Sequence, residues 1–300
     1  MSLRVGTDCS GIDSPLLALK HLNIPFNYIF ASELDRHLRK NIINTYNPEL
    51  IFNDITTRKH YLLPQVDLYI CGFPCQTFSS LGNLGGLNKS PIFYHCIETI
   101  KYTKPKYFIL ENVKNIITHD FGNTFNIIKD NLEMLDYNIY IETINSKYFT
   151  PQDRTRVYFI GIQKNIDNKL CIFNDYDKDI KNINDILNPN IKYIDILNDK
   201  LDNIIVELEL EKDINYVFNI GVSKANYCNV KINLSPTLTT KCNKYYIYLK
   251  KRFLTVSELQ ALQGLEDLDL SFLKISNQYK AIGNSMTRQV IEYILKKLLL

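Results

Sequence analysis

The sequence lacks the features of a membrane protein, an exported protein or a zinc protein. No apolar run approaches the roughly 18 residues that a membrane-spanning helix needs, and Arg4 and Gly6 interrupt the first residues too early for a secretory signal. The seven cysteines are an odd number without Cys-x-x-Cys spacing, which argues against a zinc site. We therefore expect an intracellular protein with reduced thiols and no metal, in the cytoplasm, or in the nucleus if the source is a eukaryote or its virus.

A large excess of one charge is also missing. The chain has 35 Lys and Arg against 32 Asp and Glu, a net charge of +3, so any case for nucleic-acid binding must come from local basic clusters. Tryptophan is absent, and we find no internal repeat and no low-complexity tail. What is present is a chain of 300 residues, 45% of them hydrophobic, which is enough for one large core or for a core and a smaller lobe.

Short apolar strands alternate with helical segments over residues 1–163. The pattern predicts strands at 4–7, 28–31, 66–71, 107–110 and 157–162, and helices at 14–21, 35–46 and 91–102. Such alternation predicts βαβ units, and hence an α/β fold with a largely parallel sheet and helices on both faces.

The pattern changes from residue 164. Residues 165–215 are rich in Asn, Asp, Ile and Lys and have no βα period, whereas helical spacing returns at 255–262 and in a final helix whose apolar face is Val290, Ile291, Ile294, Leu295 and Leu298. We therefore predict a larger domain formed by 1–163 and 253–300, interrupted by a smaller, irregular lobe at 164–252.

One cysteine stands at the end of a predicted strand, in the segment Asp67-Leu-Tyr-Ile-Cys-Gly-Phe-Pro-Cys-Gln76. Pro74 fixes the backbone directly before Cys75. Ligands of open α/β sheets bind at the carboxyl ends of the strands, where an accessible thiolate is a nucleophile. Free cysteines are usually buried and inert, a role that suits Cys71, and for Cys75 taken alone the two interpretations are equally supported.

Two further segments place polar side chains beside apolar strands. Glu111 follows four apolar residues, and a carboxyl group so placed is suited to donating a proton, although a helix-start carboxylate is the simpler interpretation. Gln152, Arg154 and Arg156 would alternate onto one face of a strand. Two guanidiniums and an amide on one face suit a planar base or a phosphate. A solvated edge strand is the alternative, but the apolar run that follows favours a buried strand, and the arginines at its entrance then need partners.

A tight turn, Asp8-Cys9-Ser10-Gly11, follows the first strand. Glu33 ends the second strand, and Asp54 comes after the next helix. A turn with an acid at the end of the neighbouring strand suits a nucleoside whose ribose hydroxyls need an acceptor. The match to Gly-x-Gly-x-x-Gly is poor, because only Gly11 is present, so this signal is weak by itself.

Taken together, these segments resemble the S-adenosylmethionine-dependent cytosine-C5 DNA methyltransferases. The resemblance covers nearly the whole chain except the middle lobe, and five motifs occur in the family's order. They are Gly72-Phe-Pro-Cys-Gln76, Glu111-Asn-Val113, Gln152-x-Arg-x-Arg156, Arg252-x-Leu-Thr-x-x-Glu-x-x-x-Leu-Gln-Gly264 and Gly283-Asn-Ser285. Each is weak alone, but the ordered set is specific.

The resemblance implies a Rossmann-like methyltransferase sheet, with target recognition in the middle lobe, and a DNA (cytosine-5-)-methyltransferase activity on a flipped-out cytosine in double-stranded DNA. The protein would be a monomer. The implied catalytic residues are Cys75, Glu111, Arg154 and Arg156. The implied S-adenosylmethionine site is Asp8, Cys9, Ser10, Gly11, Ile12, Glu33, Leu34, Asp54, Ile55, Pro74, Asn284 and Ser285. The implied DNA contacts are Gln76, Ser79, Lys89, Gln152, Thr239, Lys241 and Lys244.

The resemblance also implies a reaction. Cys75 would attack C6 of cytosine while Glu111 binds the N3 edge, C5 would take the methyl group, and loss of the C5 proton would release the enzyme. A stacked base is not accessible from both faces, so the cytosine would be flipped out. The Gly-rich segment 79–89, directly after Cys75, would then close over it, although an ordinary surface loop is the simpler interpretation.

Three positions depart from the family's pattern. The family usually has an aromatic residue where Cys9 stands, and a Gly-Gly pair where Asp13-Ser14 stands. The loop after the nucleophile usually ends in an Asp-x-Arg-Gly-like segment, whereas here it reads Asn88-Lys-Ser-Pro91. Lys89 is the candidate to replace that arginine.

Charge divides the middle lobe into two halves. Acids dominate 175–213, including Asp175, Asp177, Asp179, Glu207, Glu209 and Glu211. Basic residues and tyrosines interleave over 224–252: Lys224, Tyr227, Lys231, Lys241, Lys244, Tyr245, Tyr246, Tyr248, Lys250, Lys251 and Arg252. We predict that the basic half, with the threonine-containing segment Ser235–Lys241, faces DNA.

Two alternatives remain open. The tRNA-methylating branch of the same family usually carries a Cys-Phe-Thr signature in the middle lobe, and none is present. A catalytically dead DNA-binding homologue is disfavoured because Cys75 and Glu111 are intact. The sequence does not specify the recognition site, nor does it separate a restriction-modification enzyme from a solitary, viral or epigenetic one.

Overall fold

A computed structural model describes residues 2–74, 91–168, 173–191, 203, 206–207, 209–211, 213–221 and 229–300. The chain forms two compact units. Unit 1 consists of Met1–Ile144, Thr155–Asp175 and Ile291–Leu300, and unit 2 of Asn145–Arg154 and Tyr176–Val290. Within the described ranges, no helix combines the length and the apolar character needed to cross a bilayer.

Unit 1 is built on a seven-stranded sheet with the order β3-β2-β1-β4-β5-β8-β6. Its strands are β1 (Leu3–Asp8), β2 (Phe26–Ser32), β3 (Leu50–Phe52), β4 (Leu68–Cys71), β5 (Tyr107–Val113), β6 (Tyr137–Asn145) and β8 (Thr155–Gln163). Strands β1 to β5 pair in parallel, and β8 runs antiparallel to β5. The prediction of an α/β fold with a largely parallel sheet is confirmed.

The helices that connect these strands are α1 (Ser14–His21), α2 (Arg36–Tyr46), α3 (Ile92–Thr103) and α4 (Asn123–Glu133). The first three were predicted to within one residue, because apolar spacing and end signals agree. In α2, for example, Asp35 caps the helix by accepting hydrogen bonds from the backbone amides of His37 and Leu38. Helix α4 and strand β6 were not predicted, because α4 begins after a Gly that provides no side-chain cap and most of β6 is only half-buried.

The core of unit 1 depends on close approach of aromatic rings to the sheet. Phe30, Phe93, Phe108 and Phe159 are fully buried in one apolar cluster. A Cβ atom added at Gly6 would lie 2.3 Å from the Phe30 ring, and one added at Gly161 would lie 2.0 Å from the Phe108 ring. Glycine therefore occurs in these central strands because the rings occupy the space of a side chain.

Unit 2 contains a small antiparallel sheet in the order β10-β9-β12-β13. These strands are β9 (Tyr216–Asn219), β10 (Lys231–Ile232), β12 (Tyr245–Ile247) and β13 (Arg252–Phe253), and a separate parallel pair joins β7 (Gln152–Asp153) to β11 (Ser235–Pro236). Two helices follow, α5 (Val256–Gln263) and α6 (Ile275–Asn284), and α7 (Arg288–Leu299) ends in unit 1.

The compact units do not follow the predicted division after residues 163 and 252. Residues 145–154 and 253–290 belong to unit 2. One reason is that Arg252–Phe253 is an edge strand of the small sheet, and Arg252 forms a buried ion pair with Glu258 in α5. The functional assignment of target recognition to 164–252 stays a prediction.

Candidate active site

The carboxyl ends of β4 and β5 are joined by a side-chain hydrogen bond. Asn112, at the end of β5, donates its side-chain amide to the carbonyl oxygen of Phe73 over 3.1 Å, and both residues are buried. This contact places the chain leading to Cys75 beside the Glu111-Asn112-Val113 motif. Pro74 is exposed, whereas Cys75, Gln76, Ser79 and Lys89, together with the predicted mobile loop, lie outside the described residues.

Glu111 faces an arginine across the antiparallel β5–β8 pair. The Nε atom of Arg156 lies 3.1 Å from Glu111 Oε1, and the two side chains are only 14% and 11% exposed. Oε1 accepts no aligned hydrogen bond from a described residue, so the contact is a charge pair. Opposite charges at this distance in a largely buried site hold the carboxylate in place.

The sequence predicted that Arg154 and Arg156 share one face of a continuous strand, and the structure does not show this arrangement. The strand is interrupted at Arg154, which lies between β7 and β8. Arg154 is buried and donates to the carbonyl oxygens of Leu238, Gly283 and Ser285 at 3.1, 3.3 and 2.9 Å. Its guanidinium thus links the backbone of the Ser235–Lys241 segment to that of the Gly283-Asn284-Ser285 motif, both within unit 2. The alternation argument failed because the strand was assumed to be continuous.

Gln152 is fully buried, and its side-chain amide is bound within unit 2. It donates to the carbonyl oxygen of Leu262 at 2.9 Å and accepts from the backbone amide of Leu238 at 2.9 Å. A direct DNA contact by this side chain would require these hydrogen bonds to break, which leaves a buried polar group unsatisfied.

Asp8 is held by an arginine that the sequence argument overlooked. Arg58 binds both carboxylate oxygens of Asp8 at 2.6 Å and also donates to Ser32 and Thr99 at 2.6 Å. Burial lowers the pKa of Arg58, but the charge and hydrogen bonds of Asp8 raise it by more, so the pKa lies above its ordinary value. The Asp8 side chain is therefore structural. No local pattern marks a partner 50 residues away in sequence.

The turn after β1 has three left-handed residues, Cys9, Gly11 and Asp13, with φ of 50°, 58° and 52°. Its backbone is tied to Glu33, whose Oε2 accepts the Gly11 amide at 2.7 Å and whose Oε1 accepts the Asp35 amide at 2.8 Å. Ile12 is buried, so only the backbone of this turn and the partly exposed residues around it are available to a ligand.

Apolar and acidic groups suited to a nucleoside adjoin this turn. Leu34 follows Glu33 and is 75% exposed, which is unusual for a leucine and leaves an apolar face for a ring. Asp54 Oδ1 accepts hydrogen bonds from the backbone and hydroxyl of Thr56, both at 2.8 Å. A cavity of about 420 Å³ opens beside Asp54, lined also by Asn53 and Thr57. Ile55, which follows Asp54, is buried.

The predicted unit 2 residues divide into exposed and buried groups. Asn284 is exposed, whereas Ser285 is buried and its hydroxyl donates to the carbonyl oxygen of Ile282 at 2.8 Å. Gly283 lies so close to the 235–241 segment that an added Cβ would be 2.1 Å from the Thr239 carbonyl oxygen. The glycine of this motif is thus required by a backbone contact.

The predicted basic and aromatic face is only partly supported by exposure. Lys241, Lys244 and Lys250 are exposed, but Tyr245 and Tyr246 are buried, and Tyr246 belongs to the apolar cluster of the small sheet. The prediction that these two tyrosines face DNA was wrong, because strand β12 turns them into the interior. Lys224 and Tyr227 lie outside the described residues.

Comparison with known proteins identifies the family. Residues 8–300 match the model of the family described as C-5 cytosine-specific DNA methylase. The chain belongs to this family. Within the described residues, no group of three or more His, Cys, Asp or Glu side chains is arranged to hold a metal ion.

Relatives of this methylase-family chain include phage and bacterial proteins. Type II methyltransferase M.Bsp6I of Bacillus sp. (strain RFL6) is 31% identical over 304 residues, which cover 91% of this chain and 93% of that protein. Orphan methyltransferase M.Rho11sI of Bacillus phage rho11s is 35% identical over 206 residues, 67% of this chain and 40% of that protein.

The matched part thus spans about two fifths of the phage relatives' length, 40% of M.Rho11sI and 38% of orphan methyltransferase M.SPRI of Bacillus phage SPR. The crystal structure of the S. pombe Dnmt2 methyltransferase superposes with a TM-score of 0.69, over 99% of this chain and all of that one, at 18% identity. This similarity confirms the fold.

Proposed function

We propose that the protein transfers a methyl group from S-adenosylmethionine to C5 of a flipped-out cytosine in double-stranded DNA, with Cys75 as the nucleophile. The observation that carries the proposal is the hydrogen bond from Asn112 to the Phe73 carbonyl oxygen. It fixes Phe73, two residues before Cys75, beside the Glu111-Asn112-Val113 motif, as a reaction that uses Cys75 and Glu111 on one base would require. The family match over residues 8–300 supports the same reaction.

The cofactor site would be formed by the turn after β1, by Glu33 and Leu34, and by the Asp54 loop. Each Glu33 oxygen already accepts one backbone amide and retains a lone pair for a ribose hydroxyl. Leu34 offers an exposed apolar surface, and the cavity beside Asp54 offers room. These groups fit a nucleoside, and bound S-adenosylmethionine supplies an electrophilic methyl group. Pro74 is the remaining exposed candidate of unit 1, and the cofactor contact of Asn284, in unit 2, stays a prediction from the sequence.

The chain's own groups account for the activation of cytosine. The Cys75 sulfur would bond to C6, and the C5–C6 π electrons would move to C5. After methylation, loss of the C5 proton would restore the double bond and release the Cys75 thiolate. Glu111 would hold the N3 edge while negative charge develops on the ring, and Arg156 positions Glu111 through the 3.1 Å charge pair.

Arg154 and Gln152 are assigned positioning roles. Both are buried, and their polar atoms bind backbone groups of the 238 and 262–285 segments. We propose that they hold the 235–241 segment and the Gly283-Asn284-Ser285 motif in one arrangement. DNA contact is assigned instead to the exposed Lys241 and Lys244 of unit 2 and to the partly exposed Thr239 that precedes them.

The nucleophile can be tested by trapping. On a duplex with 5-fluorocytosine at the target, the fluorine blocks proton loss from C5, so a covalent adduct should persist through denaturing electrophoresis when S-adenosylmethionine is present. Cys75→Ala should bind the duplex and give no adduct. Cys71→Ala is the matched control, because Cys71 is fully buried and should not affect adduct chemistry. An adduct with Cys75→Ala would reject the assignment.

The substrate can be tested with bisulfite sequencing of DNA from a host that expresses the protein, in parallel with labelled methyl transfer to purified tRNA. Conversion-resistant cytosines in one sequence context are expected. Labelled tRNA with unmodified DNA would favour the tRNA-methylating alternative, and the absence of both products with folded, cofactor-bound protein would favour a binding protein without activity.

The DNA face can be tested with Lys241→Ala, Lys244→Ala and Lys250→Ala combined. Removing three phosphate contacts should weaken binding and make the negative slope of log K against log salt less steep by roughly 2.7. A triple alanine variant at the exposed Lys101, Lys129 and Lys164 of unit 1 removes the same charge and should retain the slope. An unchanged slope in the first variant would contradict the assignment.

A further inference from the structure

The carboxyl group of Asp13 lies beneath the turn that follows β1 and does not cap a helix. Asp13 occupies the N-cap position of α1, yet its side chain makes no capping hydrogen bond. It instead lies in the interior, 99% shielded from solvent, with Oδ2 2.6 Å from the Tyr28 hydroxyl and Oδ1 3.0 Å from the Thr7 hydroxyl. An aspartate that forgoes its usual local partner in this way is part of a tertiary network.

Five oxygen–oxygen contacts form this network. Besides its contact with Asp13, the Thr7 hydroxyl lies 2.5 Å from Tyr28 and 2.6 Å from the Ser10 hydroxyl. Ser10 in turn reaches the carbonyl oxygen of Ser32 at 3.1 Å. The chain of contacts therefore runs from Asp13 through β1 and β2 into the turn itself.

The number of protons decides which form of Asp13 fits this geometry. The hydroxyls of Thr7, Ser10 and Tyr28 supply three protons for five contacts. If Asp13 is ionised, Thr7 and Tyr28 both donate to it, and their 2.5 Å contact then holds no proton. If Asp13 carries a proton, it donates to Tyr28, Tyr28 to Thr7, Thr7 to Ser10 and Ser10 to Ser32. Four of the five contacts then hold a proton, and the one without is the longer 3.0 Å contact between Asp13 and Thr7.

We propose that Asp13 is a positioning residue that must be protonated to hold the cofactor turn in its binding conformation, so that cofactor affinity falls as the pH rises through neutrality. The inference rests on the proposed function, since it takes the turn to be part of the S-adenosylmethionine site. It also accounts for a residue other than glycine at φ 52°: the hydrogen bonds of the network offset the strain of a left-handed residue.

The charged and titratable groups around Asp13 point the same way. Burial is the main cause that raises the pKa of Asp13 to about 7, and the bonds from Tyr28 and Thr7 only partly oppose it. Burial likewise raises the pKa of Tyr28 and of Tyr46, so both phenols stay neutral. The carboxylate of Glu33 adds repulsion to an ionised Asp13, and the lysine of α1, Lys20, stacks on the Tyr46 ring at 4.4 Å.

The test measures the dissociation constant of S-adenosylmethionine by calorimetry between about pH 6 and pH 8.5. The wild-type constant should rise by up to about tenfold for each pH unit above the midpoint, because only the protonated fraction binds tightly. Asp13→Asn keeps a neutral side chain that can donate and accept, and it should bind with little pH dependence. Asp136→Asn, at a side chain that is 92% exposed, is the control and should follow the wild type.

A second measurement separates this inference from the proposed function. Amide hydrogen exchange over residues 8–16, corrected for the intrinsic effect of pH, should show loss of protection with rising pH in the wild type but not in Asp13→Asn. If S-adenosylmethionine binds at no pH, the proposed cofactor site is wrong, and exchange alone decides the role of Asp13. Parallel profiles for the wild type and Asp13→Asn, in binding or in exchange, would overturn the inference.

Tyr28→Phe removes one hydroxyl from the hydrogen-bond network without changing charge. It should weaken binding at every pH, and it replaces Asp13→Asn if that variant does not fold.

Discussion

The side-chain amide of Asn112 donates to the carbonyl oxygen of Phe73 at 3.1 Å, and this hydrogen bond joins the end of β5 to the segment directly after the neighbouring parallel strand β4. Asn112 Oδ1 is used as well, since it accepts the backbone amide of Val113 at 2.8 Å. The residue therefore connects the end of β5 to the segment that leads into Cys75. The asparagine of the Glu-Asn-Val motif thus has a structural role, which does not require it to take part in the reaction.

Asn112→Ala should reduce methyl transfer while leaving cofactor affinity close to that of the wild type. Without the donor, the Phe73 carbonyl no longer fixes the Cys75 segment, and a displacement near 1 Å costs on the order of 10²-fold in rate. Single-turnover kinetics and calorimetry would measure the two quantities. Asn126→Ala, on the exposed face of α4, is the control; equal rates for both variants would show that the bond does not position the nucleophile.

Gly283→Ala should destabilise the protein because its methyl group would lie 2.1 Å from a backbone oxygen of Thr239. Backbone cannot move aside as a flexible side chain can, so we expect a loss of about 1–3 kcal/mol in the free energy of unfolding. Urea denaturation would measure it. Asn284→Ala, at the adjacent exposed position, should change stability by less than about 0.5 kcal/mol, and a similar loss in both variants would argue against the clash.

Arg252→Met should be strongly destabilising because it leaves Glu258 buried without its partner. The two side chains are 2% exposed, and the guanidinium binds both carboxylate oxygens at 2.8 and 2.7 Å, so we expect a loss of about 3–5 kcal/mol. Combining it with Glu258→Leu should recover part of the loss. Lys101→Ala breaks the exposed pair with Glu98 and should cost about 0.5 kcal/mol or less. Equal effects of the two single variants would contradict this interpretation.

Asp13 should make folding stability fall as the pH rises from about 4 to about 7. Its pKa is raised from 3.8 to about 7 in the folded protein, mainly by burial, so the folded state binds the proton more tightly than the unfolded state in that window. The contribution is complete below the unfolded pKa and is lost as the pH passes the folded one, at about 1.4 kcal/mol for each pKa unit. Urea midpoints of the wild type and Asp13→Asn should therefore diverge between about pH 5 and about pH 7, with Asp13→Asn increasingly favoured. A constant difference would show that Asp13 does not titrate there.

The sequence by itself determined the elements that carry local signals and the family. Helix α2 was predictable because Asp35 caps an amphipathic segment, and β4 because an apolar run ends at a Gly-Phe-Pro turn. The motifs in order identified the family, since five ordered matches rarely coincide. Helix α4 and strand β6 escaped prediction because neither has both a strong apolar period and an end signal.

Only the tertiary structure decided what the individual motif side chains touch. Asp8 binds Arg58, whereas the sequence assigned it to a cofactor. Arg154 donates to backbone carbonyls at 238 and 283–285, whereas the sequence assigned it to a strand face. The physical reason is that buried charges and amides must find partners, and those partners lie between 50 and 131 residues away. The role of Asp13 depends in the same way on Tyr28, a contact that spacing along the chain does not reveal.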